Sequence, residues 1–407
     1  MNFNKTYDVI VAGAGVAGVA AAIECSRAGL TTALVEKTVV LGGLATTGLI
    51  NGYLPLCDGY GHQAIYGIAE ELLHLSIKYG PGQVPDAWAQ ADREVPTPGA
   101  RYMAIFSPAA FALAIDEVLF EAGIDTWLDT LVCASVLDPA HTEVPRLVGI
   151  EVENKSGRGV LRAAAVIDTT GDADVAYRAG APCVESDNWL SLWAIEVSLV
   201  HARQAVNAPD STSLLEMIHV GGDAWGRNSP PDQPKFHGTD GRSVTRFVLE
   251  GRRLLRETYR SRQDEIGEAG RCRIFPTALP AIAQFRTTRR IDGLETMSPA
   301  YPNTHVTTSI GLVPDWRRPG PMWEVPYGAL VARGVQGLLV AGRCFSAEGE
   351  AWEVSRVIPP AALTGQVAGI AATLAVRQRT TPDAICAADV QRVLQGRRMP
   401  FHTSDVL

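Results

Sequence analysis

Residues 8–37, DVIVAGAGVAGVAAAIECSRAGLTTALVEK, leave little freedom in how the chain can begin. The run YDVIVAG is β-branched and apolar, which suits a fully buried parallel strand. It leads into Gly13-x-Gly15-x-x-Gly18, an Ala-rich helix ending near Gly29, and a second strand that finishes at Glu36. Each glycine has its own reason to be there. Gly13 permits a tight turn, Gly15 lets the backbone approach a pyrophosphate, and Gly18 lets helix and strand pack closely. The helix start at Val16 and Ala17 supplies N–H groups and a positive dipole end for phosphates. Glu36, beside Lys37, stands where a carboxylate accepts hydrogen bonds from ribose hydroxyls, and an acid there disfavours a 2′-phosphate. This unit alone does not choose between NAD and FAD.

The next segment favours FAD. A nicotinamide dehydrogenase places the third strand of the unit within a few residues of Glu36. Here a Gly42-Gly43 pair opens a long irregular stretch, LGGLATTGLINGYLPLCDGYGHQ, rich in small residues. Such a stretch can wrap an extended ligand running away from the pyrophosphate. Far downstream, GLLVAG reads as a buried strand ending at Gly342, followed after a loop by a helix starting near Pro359-Pro360. Proline is favourable at a helix start, where its missing N–H is not needed. That start offers N–H groups and a positive end suited to the anionic edge of a reduced flavin. Gly365 and Gly369 lie on one face of the same helix and allow close packing on the sheet or the cofactor.

With these features together, the chain resembles the FAD-dependent oxidoreductase family within the glutathione-reductase-like flavoproteins. The matching parts are Gly13–Glu36 with Gly42-Gly43, AAVIDTTGDADVAYRAGAP at 163–182, and LLVAGRCFSAEGEA at 338–351. In the middle motif Thr169 stands where Ala is commoner. QFRTTRRIDG at 284–293 resembles the family's Arg-rich stretch before the final strand. The resemblance implies that Leu44, Ala45 and Thr46 follow the cofactor beyond the glycine pair. It also implies that the backbone near Val132 meets the adenine, and that Thr170, Gly171 and Asp172 close over the adenosine. Gly342 and Arg343 would approach the ribityl chain, with Pro359, Ala361 and Ala362 at the flavin end. Many related proteins carry Asp where Arg343 sits.

The expected fold is α/β: a Rossmann-like, parallel-sheet FAD-binding domain with an inserted, mixed α+β substrate domain. The FAD-binding part comprises 1–60, 100–185 and 335–385, the substrate or cap domain 61–99 and 186–334, and the C-terminal tail 386–407. FSPAAFALAIDEVLFEAG reads as a helix with Ser107 as N-cap, Pro108 at its first position and Gly123 past its end. Residues 243–265 read as one amphipathic helix, and 219–241, dense in Gly, Pro and Asp, as a long loop suited to a lid. No motif is legible between about 186 and 280.

Other classes are disfavoured. The net charge of −8 is spread along the chain with no basic run, which argues against nucleic acid. No apolar stretch approaches about 20 uninterrupted residues, so no membrane span is expected. The first residues run straight into a strand, which leaves the cytoplasm as the expected location. Seven scattered cysteines form no Cys-x-x-Cys pair, so no metal site is signalled, and most are expected to be small buried hydrophobes. The expected partner is a small-molecule substrate. In the absence of a second GxGxxG unit, electrons pass to oxygen, another protein, or a nicotinamide without its own domain. A homo-oligomer is compatible with the sequence.

Three residues are the favoured catalytic candidates. His62, in LCDGYGHQ, is placed to take a proton as hydride leaves to flavin, and it or Cys57 is also a candidate for covalent attachment. Arg289 belongs to the cluster Arg286, Arg289, Arg290; on a strand, Arg286 and Arg290 share one face and Arg289 takes the other. One face would hold a substrate carboxylate or the flavin pyrimidine edge. Glu350 is the preferred acid between the AGR motif and the closing helix, where Trp352 is placed to stack on substrate. An electron-carrier subunit, or a flavoprotein with non-redox chemistry, is the alternative to an enzyme of hydride transfer.

Overall fold

The computed structural model describes residues 3–89, 101–208, 210–223, 229 and 234–407. Its main sheet contains β1 (Asn4–Ala12), β2 (Thr32–Val35), β3 (Asp125–Trp127), β4 (Leu131–Leu137), β5 (Leu147–Asn154) and β6 (Gly157–Asp168), in the order β3-β2-β1-β6-β5-β4. Strands β3, β2, β1 and β6 run parallel, and β4 and β5 form an antiparallel meander. The third parallel neighbour on the β2 side is thus delivered from residue 125 onward, after the irregular segment. The second edge of β6 is shared. Its first half pairs with β5, and its last residues, Val166 to Asp168, pair in parallel with the strand Leu338–Val340. That sharing brings the C-terminal part of the chain against the opening unit.

The first helix, Val16–Arg27, and the closing helix, Ile358–Gln378, cross on one face of this sheet. Small residues make the crossing close. A Cβ at Gly365 would stand 2.0 Å from the carbonyl oxygen of Ala17, and one at Gly369 would stand 2.8 Å from Cβ of Glu24. These glycines therefore serve helix packing rather than a cofactor. By length and composition the closing helix could cross a membrane, yet 94% of its most apolar 18-residue window is buried inside the protein.

Besides residues 297–331, whose Met297, Ile310, Trp323 and Val325 enter the core of the first and closing helices, two segments differ from the expected domain division. Ile65, Ile68, Leu72 and Leu73, around the helix Ile68–Ser76, enter the same core as the first and closing helices. The 386–407 segment is also no free tail: the helix Ala387–Gly396 buries Val390 and Leu394 in that core. In both cases the apolar residues on one helix face decide the placement. Cysteine burial is mixed, with Cys25, Cys57 and Cys344 buried but Cys272 and Cys386 exposed.

The region after residue 186 builds a second, three-stranded antiparallel sheet from β7 (Ser191–Ser198), β8 (Glu216–Gly221) and β9 (Ile274–Ala278), with β7 in the middle. Leu192, Ala194, Ile218 and Val220 face the long helix Gly241–Ile266, packing on Leu255 and Tyr259. The residues between them, Ser191, Trp193 and His219, are turned to the other side. The helix beginning at Pro108 is capped as its sequence implies, with Ser107 Oγ accepting from Ala110 N. Residues 224–228 and 230–233 of the proposed lid at 219–241 lie outside the described residues; of the rest, 219–221 belong to β8, Phe236–His237 pair with Asp187–Asn188, and Gly241 starts the long helix.

The close approaches set a stability prediction. Gly18→Ala would put Cβ 1.9 Å from the carbonyl oxygen of Gly13, and Gly365→Ala meets backbone equally closely. Each should destabilise the protein by ~1–3 kcal/mol or more. Gly396→Ala, with nothing within 4 Å, should be neutral or slightly stabilising. Thermal denaturation of the three variants checks this ordering.

Candidate functional site

Three strand ends lie in register. Ala12 of β1 and Val340 of the C-terminal strand both pair with Asp168, the last residue of β6. The turns beginning at Gly13, Thr169 and Ala341 therefore share one edge of the sheet, the carboxyl-end edge at which open α/β sheets bind ligands. Thr169 joins two of the turns, donating from Oγ1 to the carbonyls of Gly13 (2.6 Å) and Ala12 (3.0 Å). Gly13 needs its positive φ of 100°, and a Cβ there would stand 2.6 Å from Thr169 O.

Gly15 differs from its two partners. A Cβ at this position meets nothing within 4 Å, and no side chain caps the first helix. Behind it the second glycine pair closes the floor: Gly42 N donates to Ala14 O at 2.8 Å, and a Cβ on Gly43 would lie 2.9 Å from Gly15 Cα. With open space over Gly15 and no side-chain cap, the helix start at Val16 and Ala17 makes a cradle that fits a pyrophosphate. Gly13 and Gly18 are required by the fold, whereas nothing in the fold crowds a Cβ at Gly15.

Glu36 stands beside that cradle, buried, with one carboxylate oxygen accepting from Ala14 N and the other from Thr38 N, both at 2.9 Å. The carboxylate is oriented by backbone and keeps further lone pairs for ribose hydroxyls. Lys37 is exposed. Glu36 O accepts from Thr130 N, which brings the start of β4, with the buried Val132, to the same end. Beyond Gly43, residues 43–45 form a single turn with Leu44 half-buried and Ala45 buried. Thr46 Oγ1 is occupied by the carbonyl of Leu41.

The remaining motif side chains serve the protein itself. Buried Asp168 accepts from Thr170 and from the amides of Val175 and Ala176, and burial pushes its carboxyl up. Arg343 donates to Gly171 O (2.8 Å), Phe285 O (2.6 Å) and Asp172 Oδ1 (2.7 Å). Its guanidinium is therefore spent on bracing the Gly171-Asp172 turn, and only the Gly342 backbone, at φ 76°, is left to approach a ligand. The closing helix also offers fewer donors than its position suggests. Pro359 and Pro360 have no N–H, and Ala361 N already bonds Val357 O at 3.0 Å, so Ala361 and Ala362 lie beyond the free first amides. Ile358 N–H is the helical donor left.

The catalytic candidates occupy different settings. His62 Nδ1 bonds Oδ2 of the buried Asp58 at 2.8 Å, and Asp58 Oδ1 accepts from the amides of Tyr60 and His62. The ring is oriented by a carboxylate, and Nε2 has no hydrogen-bond partner among the described residues. Arg289 does not face the cleft. It donates to Asp172 O and Asp174 Oδ1 and stacks 4.0 Å from the Tyr177 ring centre, a buried brace for the same turn as Arg343. Glu350 accepts from Arg317 (2.6 Å) and Arg318 (3.2 Å), which both also bond buried Asp315. It is held in an ion-pair cluster joining two loops.

Arg290, on the face opposite Arg289, lines a cleft of about 550 Å³ together with Trp189, Thr287, Trp316, Glu348 and Trp352, among others. Trp352 Nε1 donates to Arg343 O at 2.7 Å, so one cleft wall is fastened next to the Gly342 turn. On the other side of Trp189 lies a group that no sequence motif marks. Ser191 Oγ and His219 Nε2 are 2.9 Å apart, and Trp193 and His219 pair across β7 and β8. Arg286 sits over the rings of Trp189 and Trp193, at 5.4 and 6.0 Å. Burial, then the Arg356 guanidinium, holds Arg286 down to about 10, and burial with nearby Arg286 lowers His219, keeping the imidazole neutral. Gln284 ties this group to the cofactor loop, bonding Trp193 through its backbone N and O and Gly48 through its carbonyl. The signal was present as alternation, Trp189-x-Ser191-x-Trp193.

The family profile described as FAD dependent oxidoreductase matches residues 8–205 and 192–394, and the chain belongs to that family. FAD is thereby its cofactor. Among curated relatives, a thioredoxin reductase of Bacillus subtilis (strain 168) is 26% identical over 213 residues, covering 51% of this chain and 58% of that protein. Another, from Ureaplasma parvum serovar 3, is 36% identical over 73 residues, 18% of this chain and 24% of that protein. The chain thus spans only part of the length of these relatives. Among solved structures, p-nitrophenol 4-monooxygenase PnpA from Pseudomonas putida is 14% identical with a TM-score of 0.47, covering 98% of this chain and 88% of that one. A geranylgeranyl bacteriochlorophyll reductase-like protein from Thermoplasma acidophilum is 13% identical with a TM-score of 0.46, covering 97% and 84%.

The geometry separates the glycines experimentally. Gly15→Val should fold with near-wild-type thermal stability in the apo form yet lose FAD, since its side chain fills the cradle. Glu36→Ala should weaken FAD binding by about 1–3 kcal/mol, the scale of lost hydrogen bonds. Flavin content after desalting, with apo-protein melting curves, measures both effects.

Proposed function

We propose that the protein is a glutathione-reductase-like flavoenzyme that oxidises or reduces a small organic molecule seated in the cleft beside the Gly342 turn. The observation that carries this reading is the cleft itself, walled by Trp189, Trp316 and Trp352 and fastened through Trp352 to the carbonyl of Arg343. Bound FAD supplies two-electron chemistry there, exchanging a hydride with the substrate. The chain's residues bind, orient and move protons. The tryptophans exclude water and offer flat apolar faces. His62, held by Asp58, is the proposed proton acceptor at its free Nε2. Arg343, Arg289 and Thr288 hold the Gly171-Asp172 turn in place.

Oxygen or an external acceptor is the proposed partner for the second half of the cycle. Exchange with a protein disulfide is less well supported, since a thiol relay needs two cysteines within bridging reach. No disulfide joins any of them among the described residues, and burial pushes the thiols of Cys57 and Cys344 up, away from thiolate.

A screen of small alcohols, amines and acids for anaerobic bleaching of the flavin tests the proposal. At least one class should reduce it, and a flavin that none reduces, with reduced nicotinamide unable to do so either, would contradict the reading. With a substrate in hand, His62→Ala should retain FAD but slow flavin reduction by ~10²-fold or more. Glu350→Gln should leave that rate within a few fold, because its carboxylate is committed to Arg317 and Arg318.

A further inference from the structure

Arg286 has no ion-pair partner among the described residues. Its hydrogen bonds are to neutral oxygens and are long: 3.3 Å to Ser191 Oγ and 3.4 Å to Asp223 O, while Nε has no acceptor among the described residues. Every other arginine of this neighbourhood is engaged. Arg343 bonds Asp172, Arg289 bonds Asp174, and Arg356 bonds Glu353 at 2.8 Å. The carboxylates of Glu353 and Asp223 act on it only from beyond ion-pair distance, and a largely buried guanidinium so placed is costly unless an anion arrives to pair with it. The group around it is also built for a flat ligand. Trp189 and Trp193 flank the guanidinium, and the indole Nε1 of Trp193 is a second buried donor without an acceptor among the described residues.

We propose that Arg286, with Trp189 and Trp193, forms the subsite for a carboxylate carried on a flat or apolar substrate body. The planar fork of Arg286 matches a carboxylate in two-point contact, and the indole rings cover the adjoining carbon skeleton. His219, neutral and hydrogen-bonded to Ser191 Oγ, adds no competing positive charge and keeps that hydroxyl beside Arg286. Gln284 fixes the subsite against Gly48, five positions after Gly43, so a carboxylate held here leaves the rest of the molecule directed along the cofactor loop. The inference rests on the small-molecule reading above and adds the chemical class of the substrate.

Benzoate and benzamide are probes of the same shape that differ in charge. Titrating the FAD-loaded protein with each, and following tryptophan fluorescence and flavin absorbance, reads binding without turnover. Benzoate should bind saturably and at least tenfold more tightly than benzamide. Arg286→Gln should lose that preference, and Arg286→Lys should keep part of it. Equal binding of the two probes by the wild-type protein, no binding of either, or unchanged benzoate affinity in Arg286→Gln would overturn the subsite. The probe comparison in the wild type stands even if the variants fail to fold. An altered flavin spectrum in Arg286→Gln with unchanged benzoate binding would assign Arg286 to the flavin instead. Flavin reduced only by uncharged molecules would remove the carboxylate subsite and leave the oxidoreductase reading intact; a flavin that no substrate reduces would remove that reading, whatever benzoate does.

Discussion

Everything else in this structure depends on the alignment of three strand ends at Asp168. Its backbone pairs with Ala12 on one side and Val340 on the other, and its buried carboxylate caps the short helix at Val175 and Ala176. Residues separated by more than three hundred positions thereby present their turns at one edge. Once aligned, the turns are braced by side chains rather than by a ligand: Thr169 to Gly13, Arg343 to Gly171 and Asp172, Arg289 to Asp172. A cradle formed in this way is preorganised, which reduces the ordering cost of binding a long dinucleotide.

The opening unit was legible in the sequence because its constraints are local. Strand, glycines, helix, strand and acid follow one another in a span whose spacing is set by backbone geometry. The role of Gly365 and Gly369 was half legible: their spacing implied close packing, but only the fold shows that the partner is the first helix at Ala17 and Ala21. Arg343, Arg289 and Glu350 show why charged residues near a motif are hard to assign. Their partners, Asp172, Asp174 and Arg317, are brought to them by tertiary structure, and a charge consumed by such a partner cannot be distinguished by sequence from one waiting for substrate. The closing helix illustrates a different limit, since two prolines favour a helix start while removing the amides that a start would otherwise offer.

The second sheet supplies what the family motifs leave open. The chain entering β7 alternates Leu190 and Leu192 toward the core with Trp189, Ser191 and Trp193 on the other face, of which Trp189 lines the cleft. The period was visible, but not which face would meet a cofactor loop. Gln284 settles that by joining Trp193 to Gly48. On the proposed reading the division of labour is physical: the three aligned turns are there to hold a dinucleotide by backbone, and the tryptophan and arginine face beside them to select what reaches it.

The most direct measurement of the central claim is the identity and stoichiometry of the bound dinucleotide. Purified or reconstituted protein should show flavin absorbance and, on denaturation, release FAD at one molecule per chain. Protein that instead retains NAD in that ratio, and takes up no FAD from excess, would contradict the account.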